Sequence, residues 1–139
     1  MTGYSIDHFT EQSMILWTVN SGWNMQDHLP SLAADLRDIL DATHTKYALI
    51  VEMTKLQASL PDVIWGANYM TRLVDQPVFL HPKLALLVMV SNNPVYTLAA
   101  LGLQSDVFGK INVRVFSTME EAQAEVERWR SHRWHTGDG

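Results

Sequence analysis

The residues best placed to do chemistry come at the end of an apolar run, residues 47–53. Glu52 interrupts this run one residue before its end, and Thr54 and Asp62 follow it. Ligands of α/β proteins bind off the carboxyl ends of strands, so these three residues are candidates for the rim of a pocket. The alternative is a solvated Glu52, or one paired with a nearby lysine. Acid–base catalysis by Glu52 and Asp62, with His81 as a third member, would require all three to reach one cleft.

A second group of candidate residues lies on a helix predicted over residues 61–74. At 100° per residue, one face of this helix is apolar and should contact a sheet; it comprises Val63, Ala67, Met70 and Val74. Trp65, Tyr69 and Arg72 fall on the opposite side. Exposed Trp and Tyr beside Arg are typical of interface hot spots, which favours a partner-binding or homodimer surface. The alternative is a wide apolar arc that packs beneath another element.

Ser59 stands where this helix begins, before Pro61 and Asp62. Its simplest role is to cap the helix N-terminus, with Pro61 at the first helical position. A phosphate on Ser59 would meet the favourable end of the helix dipole. The serine is therefore also a candidate phosphorylation site.

Other chemistries find little support in the sequence. The six histidines are dispersed, and His132 with His135 offers two ligands where a structural zinc site needs four. The chain has no cysteine, which excludes disulfides, thiolate catalysis and cysteine-ligated zinc. Motifs for a nucleophilic serine, a phosphate-binding loop or a zinc protease are absent from the sequence. We expect no catalytic residue, no metal and no cofactor.

Hydrophobic periodicity predicts the elements that must position these residues. Two short β-prone runs, residues 4–9 and 14–19, flank a turn and predict a hairpin. Residues 47–53 and 84–90 are apolar throughout, as strands buried on both faces of a parallel sheet are. Residues 111–115 alternate and give way to a helical pattern.

That last helix is opened by a capping box, Thr118 with Glu121. Further helices are predicted at residues 29–41, 61–74 and 95–101, with Asn24 as an alternative cap for the first. The order is ββαβαβαβα. It predicts an α/β fold with a mixed sheet, built from an N-terminal hairpin and parallel βαβ units.

Length and composition predict one globular domain over residues 1–130, followed by a frayed tail at 131–139. Apolar residues make up 47% of the 139 positions and charged residues 18%. A net charge of −5, with no basic cluster before Arg128, argues against nucleic-acid binding. The longest apolar run, residues 84–90, is far shorter than the ~20 residues of a membrane span. The N-terminus lacks the layout of a secretory signal, so we expect a soluble, cytoplasmic protein.

The order of elements resembles the STAS superfamily, in particular its SpoIIAA-like branch. The match rests on the strand LIVEM before a capped helix, on LALLVMV after His81-Pro82, and on the closing VRVFSTMEEAQAEVERW. It covers roughly residues 14–129. The resemblance implies a binding or regulatory module rather than an enzyme. In some members of the superfamily a Ser or Thr at the start of the helix after the central strand is phosphorylated, within an Asp-Ser-Ser-Gly-like motif. The corresponding residues here, 58–62, read ASLPD, so this motif is absent.

We therefore expect a non-enzymatic binding or regulatory module that acts through protein–protein contacts. It should self-associate as a homodimer, through the aromatic side of the helix at residues 61–74 or through the sheet edge. STAS-like folds are similar to lipid-transfer domains of the CRAL-TRIO kind, so a small-molecule or lipid carrier is the first alternative. That alternative predicts an apolar cavity between the helices and the sheet, lined by some of the seven methionines. A small enzyme that uses Glu52 and Asp62 is the second alternative.

Overall fold

The protein forms a five-stranded mixed sheet covered by helices on both faces. The structure, a computed structural model, describes residues 3–72 and 75–135, and side chains as far as His132. The strands are β1 (Tyr4–Phe9), β2 (Met14–Val19), β3 (Tyr47–Glu52), β4 (Leu84–Val90) and β5 (Val113–Phe116). The α-helices are α1 (Met25–Ala42), α2 (Leu60–Thr71), α3 (Pro94–Gly102) and α4 (Met119–His135). The predicted α/β class and the order ββαβαβαβα are confirmed.

The strands lie in the sheet in the order in which they occur in the chain. β1 and β2 form the predicted antiparallel hairpin, and all other neighbours are parallel. Because each of the three βαβ crossovers links adjacent strands and crossovers are right-handed, α1, α2 and α3 lie on one face of the sheet. The helix after the last strand, α4, covers the opposite face.

The alternation of side chains along the strands divides the core into two clusters. On β3, Leu49 and Val51 belong to the cluster beneath α1, α2 and α3. Ala48 and Ile50 belong to the second cluster, which also contains Ala122 and Val126 of α4. The central strand is thus buried on both faces, as its uninterrupted apolar sequence predicts.

Several helix bounds differ from those predicted. For α1, the alternative with Asn24 as the cap is confirmed rather than a start near Leu29: the helix begins at Met25, the Asn24 side chain accepts a hydrogen bond from the Asp27 N–H, and Pro30 lies inside the helix. α2 ends at Thr71, since Arg72 leaves the helical conformation with φ −156°, and the predicted end at residue 74 lies outside the described residues.

α4 continues to His135, so residues 131–135 are helical rather than part of the predicted tail. The Arg130 guanidinium donates a hydrogen bond to the Glu11 carbonyl (3.0 Å) and another to Glu127 one turn earlier (3.0 Å), which ties this end of the helix to the hairpin turn. Within residues 3–72 and 75–135, no helix has both the length and the hydrophobicity needed to cross a bilayer.

Candidate functional site

An apolar cavity lies between the sheet and the three helices α1, α2 and α3. Its volume is about 80 Å³, several times the ~10–15 Å³ that a single water molecule needs. Strands β2, β3 and β4 supply its floor, and the three helices supply its walls. Of the described residues that line it, none carries a charge. Cavities of this composition are typical of sites for small apolar ligands.

The void exists because α2 and α3 present small side chains to the sheet. α2 contributes Gly66 and Ala67 to the wall, and α3 contributes Ala99 and Ala100. Such residues cannot reach the sheet, so space remains above the strands. Four methionines complete the lining: Met25, Met53, Met70 and Met89. Their unbranched, polarisable side chains can adapt to the shape of an occupant.

Two tryptophans of the lining have indole N–H groups without a hydrogen-bond partner among the described residues. Trp17 on β2 is 6% exposed, and Trp23 lies in the turn after β2, with its ring centroid 5.7 Å from that of Trp17. Both residues line the cavity. The Nε1 atom of each is buried and has no hydrogen-bond partner in the described chain. Buried indole N–H groups usually find an acceptor, so these two are exceptional.

The loop after β3 borders the cavity at the carboxyl ends of the strands and is held by two hydrogen bonds. The Tyr96 hydroxyl on α3 accepts a hydrogen bond from the Ala58 N–H (2.8 Å) and donates one to the Ala58 carbonyl (2.9 Å). This fixes the segment after β3 against α3. Trp23 and Met53, which follow β2 and β3, line the cavity and are partly exposed. The cavity is partly open and its exposed lining is at the edge where α/β proteins bind ligands.

The three predicted rim residues lie at this edge but make local contacts. One carboxylate oxygen of Glu52 accepts hydrogen bonds from the Thr54 N–H and hydroxyl, both at 2.7 Å. The Asp62 N–H donates to the Ser59 hydroxyl (3.2 Å), which is the predicted helix cap. None of these four residues belongs to the cavity lining. The Glu52 carboxylate bonds the turn after β3, and the Ser59 hydroxyl caps the start of α2.

His81 is remote from these carboxylates. Its Nδ1 accepts a hydrogen bond from the Lys83 N–H (3.0 Å), so Nε2 carries the hydrogen and donates to Asp41 (2.7 Å). His81 precedes β4, whereas Glu52 ends the parallel strand β3. The two residues are thus at opposite ends of the sheet, roughly 20 Å apart at ~3.3 Å per residue. The geometry does not bring His81 and Glu52 into one cleft.

The candidate partner surface on α2 is half-buried. The rings of Trp65 and Tyr69 are in contact, with 5.2 Å between centroids and an angle of 37° between their planes, and both pack against the core cluster beneath α1–α3. Arg72 is exposed; its Nε donates to the Asn68 side chain (2.7 Å) and its guanidinium lies 5.7 Å from the centroid of the Phe108 ring. The two aromatic residues therefore contribute to packing while keeping part of their surface accessible.

Trp17 and Trp23 were not among the residues that the sequence pattern indicates. Trp17 lies on β2 and, with Ile15 and Val19, belongs to the core cluster beneath α1–α3. Trp23 follows the Ser21-Gly22 turn. One signal was present: Trp17 lies on β2 and Trp23 follows its carboxyl end, the end at which ligands of α/β proteins bind.

Metal binding gains no support from the geometry: in the described ranges no group of three or more histidine or acidic side chains could hold an ion.

The element order is consistent with a STAS-like α/β fold. No protein-family model, curated protein or solved structure matches this chain.

Proposed function

We propose that this protein is a non-enzymatic binding module whose cavity takes a small, mainly apolar molecule. The observation that supports the proposal is the cavity of about 80 Å³ between the sheet and α1–α3, lined by apolar side chains and four methionines. This is the feature that the carrier alternative predicts from sequence.

Atoms that line a void have no dispersion partners on one side, and this holds for the side chains that line the cavity. An apolar ligand supplies those partners, and each Å² of apolar surface that leaves water contributes about 25 cal/mol. Because the cavity is already formed, little ordering of the protein opposes binding.

A cavity-filling variant tests this proposal. Ala67 lines the cavity, so Ala67→Leu should occupy the space and weaken binding of α-methylstyrene, an apolar probe, at least about tenfold. Ala124→Leu is the matched control, since Ala124 is exposed on α4, across the sheet. Binding would be measured by calorimetry, and native mass spectrometry of the freshly purified protein would detect a co-purified ligand. Equal affinity of the two variants, or no binding by the unmodified protein, would contradict the proposal.

A second candidate function is association with a protein partner or a second copy through Trp65, Tyr69 and Arg72. It is favoured by apolar side chains that α2 and α3 leave exposed: Leu60 (51%), Ile64 (49%) and Leu98 (72%). Adjacent exposed apolar residues are typical of interaction surfaces.

Sedimentation distinguishes association from packing on α2. Trp65→Ala with Tyr69→Ala should reduce the measured mass if these side chains join subunits. Ile64→Ser is the matched variant, because Ile64 is exposed and lies outside the core cluster. Loss of thermal stability in the double variant without a change in mass would assign its rings to packing alone. An unchanged mass in all variants would contradict self-association through α2.

A further inference from the structure

Helix α3 is apolar on its outer face as well as on its inner face. Its inner residues Tyr96 and Ala100 are buried in the core cluster beneath α1–α3. Val95, Leu98 and Leu101 recur every three residues, lie within an arc of about 120°, and are all exposed. The helix contains no charged residue. Because a helix that is apolar all round is normally buried on every side, the outer face of α3 is that of a helix that needs a cover.

The first two turns of α2 extend this apolar face. α2 packs between α1 and α3, so its exposed side chains lie on the side away from the sheet. The two hydrogen bonds between Tyr96 and Ala58 place the first turn of α3 beside the start of α2. Leu60 and Ile64, which are one turn apart, are exposed at this level of α2. The exposed residues of the two helices therefore form one surface.

The area of this surface matches what a stable dimer needs. Its five large apolar residues have exposed fractions between 41% and 72%. At about 170 Å² for each residue when fully exposed, they present roughly 450 Å² of apolar surface. An interface of standard size buries about 800 Å² on each partner, of which somewhat more than half is apolar.

The distribution of charge favours a second copy of the chain as the occupant. In a two-fold contact the same surface of both copies meets, so a surface with charges of one sign repels its copy. α1 exposes four aspartates and no cation: Asp27, Asp35, Asp38 and Asp41. α3 adds no charge to such a contact, and α2 adds only Asp62. The net charge of −5 also opposes contact with an anionic membrane surface.

We infer that the outer face of α3 is the interface of a homodimer, in which two copies of the chain meet about a two-fold axis near Leu98. Val95 and Leu101 lie three residues to either side of Leu98, the most exposed of the large apolar residues that the structure describes. An antiparallel pair of α3 helices thus brings Leu98 against the partner's Leu98, and Val95 against the partner's Leu101. This inference does not depend on a ligand in the cavity. It deepens the second candidate function, because it names the partner and moves the centre of the contact from α2 to α3.

Sedimentation equilibrium of the full chain tests the inference, over a range from about 1 to 100 μM. The unmodified protein should approach the mass of two chains as its concentration rises. Leu98→Glu brings two carboxylates together at the axis and should weaken the dimer at least about 100-fold. Ala124→Glu is the matched control, since it adds the same charge at an exposed position of α4 on the other face of the sheet, and it should leave the mass unchanged.

A pair of opposite charges distinguishes a broken contact from a misfolded chain. Leu98→Lys should be monomeric for the same reason as Leu98→Glu. An equal mixture of the two variants should recover the mass of a dimer, because the axis then pairs a carboxylate with an ammonium group. A chain that had failed to fold would not be restored by mixing.

Four results would overturn the inference. One is a monomer throughout the concentration range, and another is a mixture of the two Leu98 variants that stays monomeric. A mass that falls with Trp65→Ala and Tyr69→Ala but not with Leu98→Glu would place the contact on α2 and leave the second candidate function standing. A monomer that binds vesicles of phosphatidylcholine, and loses that binding with Leu98→Glu, would assign the surface to a membrane instead.

Discussion

Substitution of Gly66 by alanine probes the cavity through protein stability. Gly66 is buried in the interior of α2, where alanine is favoured over glycine by about 1 kcal/mol. A Cβ atom there would lie 3.1 Å from the Met25 sulfur and 3.6 Å from Leu29 Cδ2. The contact with sulfur is tight by a few tenths of an ångström, but Met25 is flexible and borders the cavity, so it has space to move.

The balance of these terms predicts a more stable protein. The helix-propensity gain of about 1 kcal/mol, with some burial of the added methyl group, should outweigh the displacement of Met25. We expect a net increase of about 1 kcal/mol in the free energy of unfolding, or about 3–5 °C in Tm for a chain of this length. Urea denaturation and calorimetry would measure it. Because the methyl group takes up cavity space, Gly66→Ala should also weaken α-methylstyrene binding.

Two other glycines serve as controls. A Cβ at Gly102, the last residue of α3, would have no neighbour within 4 Å, so Gly102→Ala should change neither packing nor probe binding. Gly109 has φ +91°, and a Cβ there would lie 2.7 Å from Leu80 Cδ2, so Gly109→Ala should destabilise the protein by ~1–2 kcal/mol or more. If Gly66→Ala instead destabilises the protein by more than about 1 kcal/mol, Met25 has no space to move and the cavity argument is refuted.

Three further predictions concern contacts around the cavity and at the sheet edge. Tyr96→Phe removes both hydrogen bonds to Ala58 and should lower the free energy of unfolding by about 1–3 kcal/mol, with faster amide exchange in residues 53–59; unchanged exchange would show that the loop is held by other contacts. Burial raises the pKa of Tyr4 above 10.0, and the hydrogen bond and charge of Asp35 raise it further. Asp35→Asn should therefore lower the pKa of Tyr4 without restoring its ordinary value, which ultraviolet titration can measure. Since folding favours the neutral phenol, its contribution to stability is present below about pH 10 and is lost as the pH rises through the folded-state pKa; an Asp35→Asn variant with an unshifted tyrosine titration would contradict the assignment. Ser59→Ala should cost about 1 kcal/mol in denaturation experiments, because the cap on the Asp62 N–H is lost, and no loss would mean that α2 does not depend on this cap.

Local signals in the sequence account for most of the fold. The apolar runs that became β3 and β4 needed no tertiary information, because strands buried on both faces carry no alternation. Half of the predicted capping box at the start of α4 is present: the Glu121 N–H donates to the Thr118 hydroxyl (3.2 Å). The Glu121 carboxylate accepts from the Thr118 hydroxyl (3.2 Å) and not from the Thr118 N–H. The helix ends were harder to predict: Pro30 argued for a late start of α1, yet the Asn24 cap holds a first turn before it.

The candidate site was less predictable, because it depends on how elements pack. Glu52 and Thr54 are two residues apart, and their contact is a local turn whose existence sequence spacing can suggest. The cavity, in contrast, is bounded by three strands and three helices, and its volume depends on the distance at which Gly66 and Ala100 stand above the sheet. The sequence shows that the side chains at these two positions are small. It does not show whether a neighbouring side chain fills the space that they leave.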